Sequence, residues 1–260
     1  MPVLYTPGSD RTMLHLHFAP DTDITKGLAP EALKMFQFEW NIYHKLVRAN
    51  EMHHREIGQL LRDEIGRRFD RPFAFLDLAC GDASLAQTVL QDSKVATYEG
   101  LDLSRPALQC AARVMKDVPH DVELAEEDMV EGIVSRPASA NFIWCGYSIH
   151  HLQRAQKQKM LSAIRNALKP GGVFVCAEPV CLPGETRADY TRRWQKELRH
   201  RFRSLTDAEY DHLWQHISTH DFPETPEDWL AMGETAGFTS SREIFRFPGD
   251  LFCAAFLYEK

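Results

Sequence analysis

Phe75-Leu76-Asp77-Leu78-Ala79-Cys80-Gly81-Asp82-Ala83-Ser84 is a junction between two periodicities. The residues leading into it, from Pro72 to Leu78, form a short apolar run of the kind that builds a buried strand. Beyond it Leu85, Ala86, Val89 and Leu90 recur at helical spacing. The joint therefore reads strand, tight turn, helix. Gly81, with the small Ala79 and Ala83 beside it, lets backbone approach a ligand where a side chain would stand in the way. The helix start presents unpaired amide N–H groups and the positive end of its dipole, which suits a carboxylate or phosphate. Asp77, at the end of the strand, adds an acceptor for a cation or ammonium.

About twenty residues further on, Thr97-Tyr98-Glu99-Gly100-Leu101-Asp102-Leu103-Ser104 reads as a second strand ending in Asp102. An acid at the carboxyl end of a neighbouring parallel strand can accept both hydroxyls of a ribose. The two elements together describe a nucleoside-binding βαβ unit.

These residues resemble the class I S-adenosylmethionine-dependent methyltransferases. The first motif of that family, an acid followed by small residues at alternate positions, is matched by Asp77-x-Ala79-x-Gly81-x-Ala83. Two of its usual three glycines are alanine here, a mild departure wherever φ is negative. The resemblance places the ribose-binding acid at Asp102, with Leu103 beside it. It places the adenine-side acid at Asp128, next to Met129 at the end of a third strand, Val122 to Met129. The fourth-strand motif falls on Asn141-Phe142-Ile143-Trp144-Cys145-Gly146-Tyr147-Ser148, which brings Cys145 to the cofactor. A helix ending in Leu168-Lys169-Pro170-Gly171-Gly172, followed by the strand Val173 to Ala177, is the most distinctive match. The resemblance spans about residues 72–180 in the family's order. It implies S-adenosyl-L-methionine as cofactor, S-adenosyl-L-homocysteine as product, and Asp77, Ala79, Gly81 and Asp82 around the methionine end.

The totals agree with such a domain. The 260 residues suffice for one large α/β domain, and the net charge of −7 gives no general attraction to a nucleic-acid backbone. Six scattered cysteines without a CxxC pair suggest neither a zinc site nor a disulfide framework. No secretory signal or bilayer-length apolar run is visible, so a reduced, cytoplasmic protein without a membrane partner is expected.

Residues 1–29 read as an extended lead-in, and helical spacing takes over from Pro30 to Phe69. The Met35–His44 segment is apolar and aromatic on several faces, so it must be covered on more than one side. Packing against the sheet accounts for that. A lid over the pocket also does, and makes Trp40 and Tyr43 candidate substrate contacts. His53 and His54 are adjacent, point in different directions on a helix and are expected to be exposed.

Tyr147, Ser148, His150 and His151 follow strand four, near the point where a doubly wound sheet reverses its strand order. One imidazole could orient a nucleophile or take its proton, with His150 preferred over His151 and Tyr147 beside them. The bland alternative is a loop whose imidazoles bond to backbone or water. Glu178, where the chain leaves strand five, is a candidate substrate contact.

Residues 185–224 read as an inserted helical segment. Its basic first part holds Arg187, Arg192, Arg193, Arg199, Arg201 and Arg203, either a solvated face or a site for an acidic group. Thr206 and Glu209 form a capping box. His212, His216 and His220 share a helix flank, but no partner carboxylate is evident and no metal is expected. A helix from Thr225 to Gly237 and two strands, Arg242–Phe247 and Phe252–Tyr258 around Pro248-Gly249-Asp250, complete the chain.

The expected fold is α/β: a doubly wound, Rossmann-like, seven-stranded and mostly parallel sheet, with an antiparallel last strand and a helical cap. Residues 1–71 form the lead-in and cap, 72–180 the cofactor-binding core, 181–224 a cap insertion and 225–260 the closing helix and hairpin. The expected activity is in-line methyl transfer to an N, O or S atom of a small molecule, with no nucleic-acid partner and room for a homodimer. A tRNA-modifying enzyme of the same fold and a non-catalytic cofactor-binding subunit are the alternatives. A nicotinamide dehydrogenase is disfavoured, because G-x-G-x-x-G is absent.

Overall fold

The computed structural model describes residues 13–17, 41–246 and 252–260. Trp40, the Met35–Trp40 part of the aromatic segment and the Pro248-Gly249-Asp250 turn lie outside them. Eight described strands form one sheet: β1 (Leu14–His17), β2 (Phe73–Leu78), β3 (Val95–Asp102), β4 (Asp121–Glu126), β5 (Ala140–Gly146), β6 (Leu168–Pro179), β7 (Ser240–Arg246) and β8 (Cys253–Glu259). Their order across the sheet is β1-β4-β3-β2-β5-β6-β8-β7. Only β8 runs against its neighbours, pairing antiparallel with both β6 and β7. The sheet thus has one strand more than the expected seven. The addition is β1, four residues from the presumed lead-in, which pair in parallel with Val122–Ala125 at the sheet edge. Its alternation is too short to stand out as a strand in sequence.

Helices cover both faces. One described helix spans residues 41–48 (α1). The others are α2 (His54–Arg68), α3 (Ser84–Leu90), α4 (Arg105–Val114), α5 (Met129–Val134), α6 (Arg154–Ala167), α7 (Arg187–Arg201), α8 (Asp207–His220) and α9 (Pro226–Ala236). Helices α2, α3 and α4 bury Ile57, Leu61, Val89 and Leu108 on one face, in a cluster that also takes up Ile42 of α1 and Trp194 of α7. On the opposite face Ile133, Leu161 and Trp229 from α5, α6 and α9 pack with Ile143 and Phe174. Helix α2 therefore lies in the layer against the sheet. Helix α8 closes over α1, joined by the Lys45–Glu209 ion pair at 2.6 Å.

Local sequence chemistry sets many of the boundaries. Ser104 caps α4, Thr206 and Glu209 form the capping box of α8, and Thr225 caps α9. Gly237 ends α9 at φ 86°, a left-handed cap that glycine adopts without a Cβ penalty. Among the described residues, no helix is long and apolar enough to cross a membrane.

Candidate active site

Two adjoining cavities open at the carboxyl ends of the central strands. The first, of about 200 Å³, is lined by Asp77, the Ala79–Asp82 turn, Asp102, Trp144, Gly146, Tyr43, His54 and Tyr147. The turn is tighter than its composition suggests, because Ala79, Gly81 and Ala83 all take positive φ, at 54°, 56° and 57°. The alanines are thus not in the negative-φ region where substitution for glycine is mild. Left-handed backbone costs each roughly 1–2 kcal/mol. Asp102 holds the turn: its Oδ2 accepts from Gly81 N at 2.8 Å and its Oδ1 from Ser104 N at 2.7 Å. A carboxylate has about four lone-pair sites, so two remain for ligand hydroxyls.

Asp77 is 3% exposed and accepts a hydrogen bond from Tyr98 Oη at 2.9 Å. Burial, reinforced by the charges of Asp102 and Asp82, pushes its carboxyl up to about 8. Asp82 caps its own turn, Oδ1 accepting from Ser84 N at 3.0 Å. Three carboxylates around one small cavity suit a ligand with positive charge and hydroxyl donors. Gly146 is required on the far wall, since a Cβ there would stand 2.6 Å from the Trp144 ring.

Other expected cofactor residues lie elsewhere. Cys145 is fully buried in the core of the opposite face, so this expectation is corrected: side chains alternate along β5, and Trp144 and Gly146 face the cavity instead. Strand β4 stops at Glu126, and Asp128 caps α5, its Oδ1 accepting from Val130 N at 2.7 Å and Glu131 N at 3.2 Å. Met129 packs against the core of that face, and Leu103 is exposed; none of the three lines the first cavity.

The second cavity, of about 260 Å³, shares Tyr43 and Tyr147 with the first. Its walls are otherwise mostly apolar, with Leu46, Phe202, Ile217 and Phe252 prominent, and one polar corner holds His150, His151, His216 and Asp221. The partition between the cavities is aromatic. Tyr43 Oη lies 3.1 Å from His54 Nε2, and the His54 ring packs 5.4 Å from that of Tyr147. Burial lowers His54 to about 4. His53 and His54 are each only 8% exposed, which corrects the expected exposure: His53 lies against Arg201 and Phe245, and His54 against Tyr43 and Tyr147. Tyr147 sits at φ 54° and donates its hydroxyl to Met52 O, with Cys253 Sγ 3.4 Å away. That contact makes it a wall element whose proton is already engaged. Burial, with Asp82 the leading charge beside it, raises the Tyr43 hydroxyl far above its ordinary value.

The polar corner is built around Glu178, which is fully buried and, against the expected substrate contact, does not line the second cavity. Its Oε1 accepts from Ile149 N at 3.0 Å and Ser148 N at 3.4 Å, and its Oε2 lies 2.7 Å from His150 Nδ1 and 3.3 Å from His150 N. Burial pushes Glu178 up to about 7, against the pull of those amides. The three backbone N–H groups favour the ionised carboxylate, and toward ionised Glu178 His150 Nδ1 is the donor, which leaves the lone pair on Nε2. Desolvation lowers His150 to about 4, so the imidazole is neutral. Its Nε2 faces Asp221 Oδ1 at 3.6 Å. His151, more exposed, points Nδ1 at His220 O at 3.3 Å and is lowered to about 3 by burial and by His150 and His216.

Sequence offered no signal for Asp221, which lies just past the end of α8 and meets His150 only through the fold. His150, His151 and Asp221 bring one ligand atom each within 4.8 Å of one another, so a metal could be held there rather than along the His212, His216 and His220 flank. The basic stretch is engaged internally. Arg187 bonds Asp221 O, Arg193 pairs with Glu185, and Arg201 bonds Glu51 O. Arg192 and Arg199 meet Asp189 and Asp207, and Arg203 bonds His200 O.

Residues 75–172 match a family described as a methyltransferase domain. An uncharacterized methyltransferase of Synechocystis sp. is 28% identical over 103 residues, a match covering 40% of this chain and 45% of that protein. The chain thus matches less than half the length of this curated relative. An O-methyltransferase family protein of Burkholderia thailandensis shares the fold with a TM-score of 0.60 at 13% identity, over 82% of this chain and 57% of its own. The 1,6-didemethyltoxoflavin-N1-methyltransferase of the same organism was solved with 1,6-didemethyltoxoflavin and S-adenosylhomocysteine bound. It gives 0.58 at 15% identity, over 90% and 91% of the two chains. At these identities the two structures speak to fold.

Proposed function

We propose that the core of this chain is a class I S-adenosylmethionine-dependent methyltransferase domain and that it methylates a small-molecule nucleophile held in the second cavity. The observation that carries this reading is the partition: Tyr43 and Tyr147 line both cavities, so a ligand in each would meet there. The cofactor, when bound, supplies an electrophilic methyl on a sulfonium. The residues of the first cavity fit it. Asp77 and Asp82 would hold its methionine ammonium, the Ala79–Ala83 turn would offer backbone to its carboxylate, and Asp102 would offer its remaining lone pairs to the ribose hydroxyls.

The chain's own contribution is positioning, exclusion of water and proton removal. Apolar walls keep water from the acceptor. Glu178 fixes the His150 ring with Nε2 unprotonated, so His150 serves as the base and Glu178 as its positioning residue. The small acceptor is favoured over RNA because the guanidinium groups of the basic stretch are taken up by acceptors within the chain.

The test uses S-adenosylmethionine with an isotopically labelled methyl, the purified chain and fractionated cell extract, read by mass spectrometry. Label on a small metabolite is the expected result. Label on RNA, or cofactor binding without transfer to any fraction, would overturn the acceptor assignment.

A further inference from the structure

Asp221 Oδ1 is a buried carboxylate oxygen without a hydrogen-bond partner among the described residues, in a side chain only 4% exposed. It lines the second cavity and faces His150 Nε2 at 3.6 Å and His151 Nδ1 at 3.7 Å. Its other oxygen has Tyr190 Oη at 3.4 Å. Because His150 donates from Nδ1 to Glu178, its Nε2 is also an acceptor. His151 Nδ1 lies 3.3 Å from His220 O, which takes its proton. Two buried acceptors therefore confront each other across the polar corner of an apolar pocket. An unsatisfied carboxylate there is costly: burial raises the Asp221 carboxyl above its ordinary value, and a group bringing hydrogens or positive charge relieves the arrangement with the carboxylate ionised.

The arrangement is held from several sides. Arg187 Nε donates to Asp221 O at 2.6 Å, and Phe222 N donates to His150 O at 2.9 Å. Fully buried Lys157 bonds Phe222 O and pairs with Glu224 at 3.0 Å, and Cys181 N donates to Glu224 O at 2.9 Å. Asp221 cannot easily swing out to water.

We infer that the acceptor is an amine, with Asp221 Oδ1 anchoring its nitrogen and His150 Nε2 taking the proton. This rests on the proposed reading of the second cavity as the acceptor site. An ammonium nitrogen carries enough hydrogens to satisfy both acceptors, whereas a hydroxyl has one and a carboxylate is repelled by Asp221. Tyr43 and Tyr147 add aromatic rings to the lining of this cavity, while Phe202 and Phe252 already carry the Arg201 guanidinium at 5.7 and 4.4 Å. The ammonium gives one proton to His150 Nε2, where the Asp221 carboxylate 3.6 Å away stabilises the imidazolium, and the freed lone pair forms the N–C bond. The C–S bond breaks with its pair passing to sulfur, leaving S-adenosylhomocysteine and an N-methylated ammonium that retains its positive charge.

The experiment pairs compounds of one carbon skeleton: benzylamine with benzyl alcohol and benzoate, and tryptamine with tryptophol and indole-3-acetate. Binding to the full chain saturated with S-adenosylhomocysteine is measured by calorimetry, and labelled methyl transfer by mass spectrometry. Each amine is expected to bind at least tenfold tighter than its alcohol and acid. Asp221→Asn should erase that preference while leaving S-adenosylhomocysteine affinity within twofold. Equal binding of amine and alcohol, or an amine preference that survives Asp221→Asn, overturns the inference. So does stoichiometric Zn²⁺ binding that Asp221→Asn abolishes, which would make the corner a metal site. Failure to bind S-adenosylhomocysteine at all would instead sink the reading of the first cavity.

Discussion

If the first cavity holds the cofactor as proposed, Asp77 should make its binding a proton-linked event. The Asp77 carboxyl is pushed up to about 8 from an ordinary 3.8, because it is buried beside Asp102 and Asp82, with Tyr98 Oη supporting the charged form. Near neutrality it is therefore mostly protonated in the free protein. S-Adenosylhomocysteine keeps the ammonium of its parent, and that cation favours the ionised carboxylate and drives the proton off. If the bound-state value falls below 6, affinity should rise on the order of fifty- to a hundredfold between about pH 6 and about pH 8.5. Titration calorimetry at about pH 7, in buffers of different ionisation enthalpy, should show close to one proton released per ligand. Asp77→Asn should flatten the pH dependence and remove the release. The sign for folding is opposite. A carboxyl raised in the folded state contributes stability that is fully present below about 4 and lost progressively up to about 8, so Asp77→Asn should make the free protein more stable than the parent at alkaline pH. An enthalpy independent of buffer, with affinity flat across this range, would refute the reasoning.

Removing Asp102 strikes the turn as well as the ribose. Asp102→Ala deletes two charge-assisted bonds to Gly81 N and Ser104 N, and S-adenosylhomocysteine affinity measured by calorimetry should fall at least about thirtyfold; a change under about threefold would show that the turn holds itself. Glu178→Gln puts an NH₂ where four donors converge, costing about 1–3 kcal/mol, with roughly 2–4 °C of melting temperature per kcal/mol. The proton of His150 should move to Nε2, visible in ¹⁵N chemical shifts, and a retained Nδ1–H tautomer would contradict the assignment. Ala79→Gly relieves left-handed backbone at φ 54° while freeing the unfolded chain by about 0.4–1 kcal/mol. Urea midpoints should show no loss of stability, and a loss above about 1 kcal/mol would mean the methyl group packs usefully.

Much of the fold could be read locally because its signals are local. The Asp77–Ala83 turn, the strand ending at Asp102 and the caps at Ser104, Thr206 and Thr225 depend on periodicity and on hydrogen bonds within a few residues. Those signals placed the sheet, the turn at the end of β2 and the boundaries of α8 and α9. They could not resolve one-residue alternation at the end of β5, where Trp144 rather than Cys145 faces the cavity. Nor could they show that Leu14–His17 pairs with β4, since four residues become a strand only when an edge is there to receive them.

The acceptor corner was decided by tertiary structure. His150 stood out by its place after strand four, but its tautomer depends on Glu178 from the next strand and its facing partner, Asp221, comes from beyond α8. His54 reads as one of two exposed histidines until the fold brings it against Tyr43 and Tyr147. Composition carries no information about such meetings. Strand order and helix packing choose which distant residues share a dry corner, and only burial there turns a carboxylate and an imidazole into a strong pair of acceptors.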